Sequence, residues 1–257
     1  MDLSVVIVTY NSVSLIQQCL SSLMRSRSGI TFEIIVVDNA SIDNTVRIVK
    51  ERYPDVRLIE NNENAGFGKA SNIGARVTGG KTIVFLNPDT VVEDFCLDKL
   101  HSFIEKTPEV GIVAPRLLYP DGTLQLSCRK YYKIRTILIN RSPLKKFSFF
   151  RKELNDHLMF NADHSRTQEV DWLLGACLAM PRKVMEKVGC FDERYRLYFE
   201  DVDLCRRVKS ADYKVIYYPE ATVIHHHQRE SARRFSNKTI WHIQSAVKYF
   251  NRFGWVL

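Results

Sequence analysis

Four short runs dominated by β-branched and other apolar residues punctuate the first 115 residues: Ser4–Thr9 (SVVIVT), Glu33–Val37 (EIIVV), Val56–Ile59 and Thr82–Leu86 (TIVFL). A half-exposed strand alternates apolar and polar residues, whereas a run without that alternation is covered on both faces, as in a parallel sheet. Helix-length segments lie between the runs, at Ser14–Met24, Asp43–Tyr53 and Phe67–Val77. A polar cluster follows each run: Tyr10-Asn11-Ser12, Asp38-Asn39-Ala40-Ser41, Asn61-Asn62-Glu63-Asn64 and Asn87-Pro88-Asp89. The βαβαβαβ order predicts a parallel, doubly wound sheet with a ligand crevice at the carboxyl ends of the strands, where all four clusters fall.

The second half is less regular. A strand and a turn around Tyr119-Pro120-Asp121-Gly122 come first, and Gly122–Lys152 then contains nine Lys or Arg residues and no Asp or Glu. Ordered signals resume with Leu174–Pro181, helices near Arg182–Val188 and Asp201–Lys209, strands near Lys214–Tyr218 and Thr222–His225, and a last helix from about Asn237 to Arg252. With no repeat or low-complexity linker, the reading is one continuous domain: residues 1–115 as an α/β ligand-binding half and 116–257 as an irregular second half. The 257 residues, 45% apolar and 26% charged, exclude wholesale disorder and fibrous repeats. A net charge of 37 − 29 = +8 points to an anionic partner. No run reaches the roughly 20 apolar residues of a membrane span. The opening Met-Asp-Leu-Ser-Val lacks a basic segment followed by an apolar one. The six cysteines are scattered without a Cys-x-x-Cys pair. They read as reduced thiols of a soluble cytoplasmic protein.

Each cluster has two readings. Asp38 can accept from a base or ribose, or brace the turn that Asp-Asn-Ala-Ser favours. Asn64-Ala65-Gly66-Phe67-Gly68-Lys69-Ala70-Ser71 departs from a dinucleotide fingerprint, since Ser71 stands where the third glycine belongs and the segment follows the third strand. Its glycines serve either a phosphate or close helix packing. Asp89 is placed to hold Mg²⁺ or Mn²⁺ against a diphosphate, or to make a turn. Val202, Cys205 and Val208 recur at helical spacing, which puts Asp201 at a helix N-terminus. There the dipole favours an ionised base, while Asp203 is spaced to pair with Arg207. Of His225-His226-His227, only alternate residues can face a metal.

In order, these pieces resemble the family 2 glycosyltransferases of the GT-A fold, in particular the bacterial rhamnosyltransferase-like branch. The matching segments are Val5–Asn11, Val36–Asp43, Asn62–Phe67, Phe85–Thr90, Gly175-Ala176-Cys177, Phe191-Asp192-Glu193, Glu200-Asp201-Val202-Asp203 and the histidine run followed by Ser231. No single piece is specific; their order and spacing are. The resemblance implies a Rossmann-like, mostly parallel sheet flanked by helices, with an acceptor-side second half that carries the base. It implies that Thr9, Tyr10, Asn11, Asp38, Asn64, Gly66, Lys69 and Asn87 hold a nucleotide-sugar. Asp89 corresponds to the last aspartate of an Asp-x-Asp metal motif whose first position is here Asn87. His225 or His226 would complete the Mg²⁺ or Mn²⁺ site. Asp201, beside Glu200, corresponds to the catalytic base of an inverting transfer. The implied donor is a deoxyhexose nucleotide such as dTDP-L-rhamnose, and the acceptor is a bacterial surface glycan or lipid-linked saccharide.

The basic stretch includes Arg129, Lys130, Lys133, Arg135, Arg141, Lys145, Lys146, Arg151 and Lys152 among Ile and Phe residues. It reads as a peripheral docking surface for anionic lipid or as a solvated loop. With no helix-turn-helix or RNA-binding signature beside it, nucleic acid is not an expected partner. Three rivals stand: transfer of another sugar from a UDP or GDP donor, a non-catalytic nucleotide-sugar-binding module, and a nucleotidyltransferase. The last wants a glycine-rich basic loop after the first strand, which Tyr10-Asn11-Ser12-Val13 is not.

Overall fold

The computed structural model describes residues 1–26, 28–142, 147–226 and 237–255. The first half follows the predicted alternation: β1 (Leu3–Thr9), α1 (Val13–Arg25), β2 (Phe32–Asp38), α2 (Thr45–Arg52), β3 (Arg57–Glu60), α3 (Phe67–Arg76) and β4 (Thr82–Leu86). All seven residues of β1 are buried, because parallel neighbours β2 and β4 flank it and helices cover both faces. Val5 and Ile7 point into one core with Ile16 and Leu20 of α1; Val6 points into the other with Phe85. Next come β5 (Thr90–Val92), a helix absent from the sequence reading, α4 (Cys96–Lys106), and β6 (Val110–Leu118). Its buried Cys96, Leu97, Leu100 and Ile104 carry the ordinary spacing of an amphipathic helix.

The remaining elements are β7 (Leu124–Gln125), β8 (Cys128–Arg129), α5 (Ile134–Arg141), α6 (Ser148–His157), β9 (Gln168–Glu169), β10 (Trp172–Leu173), β11 (Cys177–Pro181), α7 (Arg182–Val188), α8 (Glu200–Ser210), β12 (Lys214–His225) and α9 (Asn237–Phe253). The strand order is β3-β2-β1-β4-β11-β6-β12-β5, with β8 and β10 forming a separate ribbon. The parallel first half and the mostly parallel sheet expected from the sequence are both present, and later strands add antiparallel pairings. β3, β2, β1 and β4 are parallel, but β11 runs antiparallel to both β4 and β6. Strand direction here depends on the long excursion from β4 to β11, which no local pattern encodes. Residue 115 falls inside β6, whose neighbours β11 and β12 lie later in the chain, so one sheet runs through both halves. The two strands expected at 214–218 and 222–225 are one strand, β12, whose register against β6 shifts between Tyr218 and Thr222. Pro219, which has no N–H to donate, lies in that irregularity.

α9 buries Ser245, Ala246, Tyr249 and Phe250 against the second core. Its Arg252 bonds Asp203 on α8 at 2.9 Å and Asp192 at 2.8 Å, while Arg207 pairs with the other oxygen of Asp203 at 2.7 Å, as their spacing predicts. Asp203 is wholly buried, so its charge is offset by these two arginines. All six cysteines are free, five of them buried.

Candidate active site

The carboxyl ends of β1 and β2 meet edge to edge, Thr9 opposite Asp38. Asp38 is buried, and Oδ1 accepts from the hydroxyls of Thr9 (2.9 Å) and Ser41, while Oδ2 accepts the Ser41 N–H at 2.8 Å. Its carboxylate thus braces the turn into α2. Asn11, at a left-handed φ of 49°, accepts the Ile42 N–H with its side chain, so the first two strand-end loops are tied to each other. Tyr10 is half exposed above them. The third cluster joins through Asn39, whose Nδ2 donates to the Gly66 carbonyl (3.2 Å) and whose Oδ1 accepts from Asn61 (2.9 Å). Asn64 accepts the Gly66 N–H, and Lys69 is exposed on the first turn of α3. Gly66 has φ 81° and ψ 168°, a region open essentially to glycine alone. Gly68 serves packing: a Cβ there would lie 3.2 Å from Phe191 Cβ.

The fourth cluster gathers the candidate cation ligands. His225 pairs with Thr90 across β12 and β5, which sets its buried ring beside Asp89, Nε2 at 3.3 Å from Oδ1. Its Nδ1 lies 2.7 Å from Gln125 Oε1, and an amide oxygen only accepts, so Nδ1 carries a proton. Nε2 and the carboxylate are then complementary when positive charge lies between them, from a second ring proton or a metal ion. Two adjacent ligands of an octahedral Mg²⁺ sit about 3 Å apart, so this donor pair fits such an ion, with waters and phosphate oxygens filling the other positions. Among the described residues no three His, Cys, Asp or Glu side chains cluster around one point. His226 contributes its backbone N–H to the Asp89 carbonyl at 2.8 Å, so of the two candidates it is His225 that faces the carboxylate. His227 and Ser231 lie outside the described residues.

The antiparallel entry of β11 links this pole to Asp201. Asn87 N–H donates to the Ala176 carbonyl at 2.9 Å, and the neighbouring Gly175 N–H donates to Asp201 Oδ2 at 3.1 Å. Space is tight, since a Cβ on Gly175 would stand 3.4 Å from that oxygen. Tyr198 and Phe199 both adopt left-handed backbone (φ 62° and 69°) and turn the chain sharply into α8, with Glu200 and Asp201 in its first turn. Strained non-glycine residues of this kind persist where surrounding structure holds them. Here Ser245 and Lys248 of α9 do so, bonding the carbonyls of Leu197 and Arg194.

Burial lifts both carboxyls above the ordinary range. Glu200, which also feels the Asp201 charge, rises to about 8, and its Oε2 is buried without a hydrogen-bond partner among the described residues. Asp201 rises to about 6 through burial, opposed by N–H bonds from Val202 and Gly175. Desolvation thus raises Asp201 at the helix N-terminus, yet it stays below neutrality. The outcome is a neutral acid beside an ionised carboxylate at neutral pH, the division of labour that suits a general base.

Three residues of this region escaped the sequence reading as site residues. Arg129, grouped there with the basic stretch, stands at the end of β8, and its charge acts on Asp201. Gln125 orients His225 from two-residue β7. His157 packs against Tyr132, the rings tilted with centres 4.4 Å apart. Beyond Lys130 and Lys133, the described part of the basic stretch falls mostly in helices α5 and α6, with Leu138, Phe147 and Phe149 exposed, as are Arg135, Arg151 and Lys152. Lys145, Lys146 and the Arg141 side chain lie outside the described residues.

Among the described residues no helix is long and apolar enough to cross a membrane. The chain is similar to the N-acetylglucosaminyl-diphospho-decaprenol L-rhamnosyltransferase of Mycobacterium tuberculosis, 29% identical over 90% of this chain and 78% of that one. It is also similar to rhamnosyltransferase WbbL of Escherichia coli K12, 24% identical over 96% of this chain and 92% of that protein. The fold is shared with solved structures. The mannosyltransferase PcManGT from Pyrobaculum calidifontis, in complex with GDP-Man and Mn²⁺, aligns with a TM-score of 0.63 at 21% identity over 98% of this chain. Staphylococcus aureus TarS 1–349 aligns with a TM-score of 0.59 at 17% identity over 88% of this chain. The chain spans 63% and 60% of those two structures' lengths. These GT-A neighbours agree with the mixed sheet and its strand-end crevice. The sequence profile described as "Glycosyl transferase family 2" matches residues 4–189, from the first strand through the β11–α7 unit, and the chain accordingly belongs to glycosyltransferase family 2.

Proposed function

We propose that this chain is an inverting, metal-dependent glycosyltransferase that moves a deoxyhexose, L-rhamnose from its dTDP donor, onto a hydroxyl of a lipid-linked saccharide or bacterial surface glycan. The observation that carries the reading is the split carboxyl pair Glu200–Asp201, joined through Gly175-Ala176 and Asn87 to the Asp89–His225 pair. The donor's base and ribose would lie over Thr9, Tyr10, Asn11 and Asp38, and its diphosphate along Asn64, Gly66 and Lys69 toward Asn87. Asp89 and His225 would hold Mg²⁺ or Mn²⁺, which when bound supplies positive charge for the departing diphosphate. Asp201 takes the proton of the acceptor hydroxyl as its oxygen attacks the anomeric carbon. The bond from that carbon to the phosphate oxygen breaks on the opposite face, and the nucleoside diphosphate leaves with the electron pair. Glu200 stays protonated and neutral beside the base, so no second negative charge competes for that proton. The choice of deoxyhexose is supported by the two rhamnosyltransferase relatives, and that of a diphosphate-linked acceptor by the name of the Mycobacterium tuberculosis one. A cytoplasmic, membrane-peripheral location is supported by the phenylalanines and cations of α5 and α6.

Calorimetric titration with UDP-, dTDP- and GDP-sugars, with and without Mn²⁺, tests the donor. Metal-dependent binding of dTDP-rhamnose is expected; selective UDP- or GDP-sugar binding would replace that donor. Asp201→Asn should keep donor affinity and lose about 10²–10⁴ in turnover. Undiminished transfer by that variant would remove Asp201 from the role of base.

A further inference from the structure

Three partly buried arginines of this protein are committed to structure. Arg207 bonds Asp203 and the carbonyls of Val188 and Cys190, Arg182 bonds the carbonyls of Gly80 and Thr78, and Arg206 bonds the Tyr249 hydroxyl and the Phe253 carbonyl. Arg129 differs. Its guanidinium carries five N–H donors, yet among the described residues it makes one hydrogen bond, from Nη1 to the carbonyl of adjacent Cys128 at 2.7 Å. It pairs with no carboxylate of the described residues and lies 6.0 Å from the centre of the Trp172 ring. Burial works against its charge, a cost to the fold, while its remaining N–H donors are not among the buried polar atoms and stay open to a ligand.

Its position says which ligand would repay that cost. The donor side of the crevice is built by the ends of β1, β2, β3 and β4. Arg129 belongs instead to the separate β8–β10 ribbon, which pairs Arg129 with Trp172 and Cys128 with Leu173. That ribbon meets the crevice through the next residues, Leu174, bonded to Ser127, and Gly175, bonded to Asp201. A group reaching Arg129 while its hydroxyl rests on Asp201 therefore belongs to the acceptor. A second polar group is uncommitted there: His157 Nδ1 is buried without a partner among the described residues. Burial and the nearby Arg129 charge hold that ring neutral, at about 4.

We infer that Arg129 is an acceptor anion site, its planar fork receiving a phosphate of a diphosphate-linked acceptor whose hydroxyl lies on Asp201. The inference rests on the glycosyltransferase reading above and narrows its acceptor to a phosphate-bearing one. A planar fork suits phosphate better than an ammonium does, so lysine should replace it only in part.

The test titrates geranyl diphosphate into wild-type protein, Arg129→Gln and Arg129→Lys by calorimetry, with dTDP and Mn²⁺ present to fill the donor site. Thermal unfolding checks that each variant is folded. Wild type should bind; Arg129→Gln should bind about 10- to 100-fold more weakly, the loss expected for a charge-assisted bond, and Arg129→Lys should fall between. Equal affinity in wild type and Arg129→Gln, or no binding by wild type, overturns the inference. Failure of dTDP to bind in the control titration would instead count against the donor reading, and the geranyl diphosphate comparison would still decide Arg129. Where transfer can be assayed, Arg129→Gln should raise KM for a diphosphate-linked sugar and leave KM for the same sugar on an uncharged alkyl chain unchanged. An equal rise for both would assign Arg129 to positioning Asp201 alone.

Discussion

Replacing Glu200 by glutamine tests whether a buried, neutral acid accompanies the base. Glutamine copies the protonated carboxyl in shape and removes its titration. In the folded protein burial raises Glu200 from 4.5 to about 8, so between those values the folded state holds a proton that the unfolded state has released. Stability is therefore lost as pH rises through that window, at about 1.36 kcal/mol per unit. From about pH 5.5 to about pH 8.5 the loss covers roughly 2.5 units, which is about 3 kcal/mol. Asp201 titrates in both proteins and largely cancels from the comparison. Urea unfolding at the two pH values should show wild type losing about 3 kcal/mol more than Glu200→Gln on going to the higher pH. The variant should also keep turnover within a few-fold of wild type near neutrality, because Glu200 acts there as a neutral group. Parallel stability profiles would mean that Glu200 is ionised in the folded protein, and the assignment of a protonated neighbour to Asp201 would fall.

Other consequences are equally open to measurement. Gly66→Ala puts a Cβ 3.1 Å from the Arg196 carbonyl oxygen at a φ of 81°, and should cost about 1–3 kcal/mol, read as a lower Tm; an unchanged Tm would contradict the strain. Gln125→Ala removes the partner that orients His225 and should weaken Mn²⁺ binding in the nucleotide complex about 10- to 100-fold, whereas equal affinity would deny Gln125 that role. Phe149→Asp, on the exposed end of α6, should reduce salt-sensitive binding to vesicles rich in anionic lipid without altering donor affinity. Indifference of the wild type to vesicle charge would reject membrane docking.

The elements built by local pattern were legible from the chain. Uninterrupted apolar runs marked β1, β2 and β4, and Val202, Cys205 and Val208 marked α8 closely enough to put Asp201 in its first turn. What the pattern could not carry was pairing over distance. Arg129 reads as one cation of nine because its strand is two residues long and its partner, Trp172, lies far along the chain. Gln125 gives no signal of its own, since its role exists only once β12 has brought His225 beside it. The spacing of Cys96, Leu97, Leu100 and Ile104 is that of α4, but it lies beyond the fourth strand-end cluster, outside the strand–helix alternation. The glycines at 66 and 68 show the limit from the other side. One sequence motif serves two ends, a backbone turn at Gly66 and contact with Phe191 at Gly68, and only the packed structure tells them apart.

The line of hydrogen bonds from Asn87 through Ala176 and Gly175 to Asp201 has a bearing on how such a protein diversifies. It fixes the spacing of Asn87 from Asp201 at the adjoining ends of β4 and β11, which on the proposed reading is the span from leaving group to base. The loops that would read the nucleotide, at residues 9–11, 38–41 and 61–66, are knotted to one another by Asp38, Asn39 and Asn11, with none of those bonds running to that line. On the proposed reading, donor choice and bond-making are carried on separate frames. Exchanging the loops as a set is then a way to retune which sugar is taken while the reacting atoms keep their spacing; changing 38–41 alone breaks bonds to both of its neighbours, and changing 9–11 or 61–66 alone breaks those to 38–41.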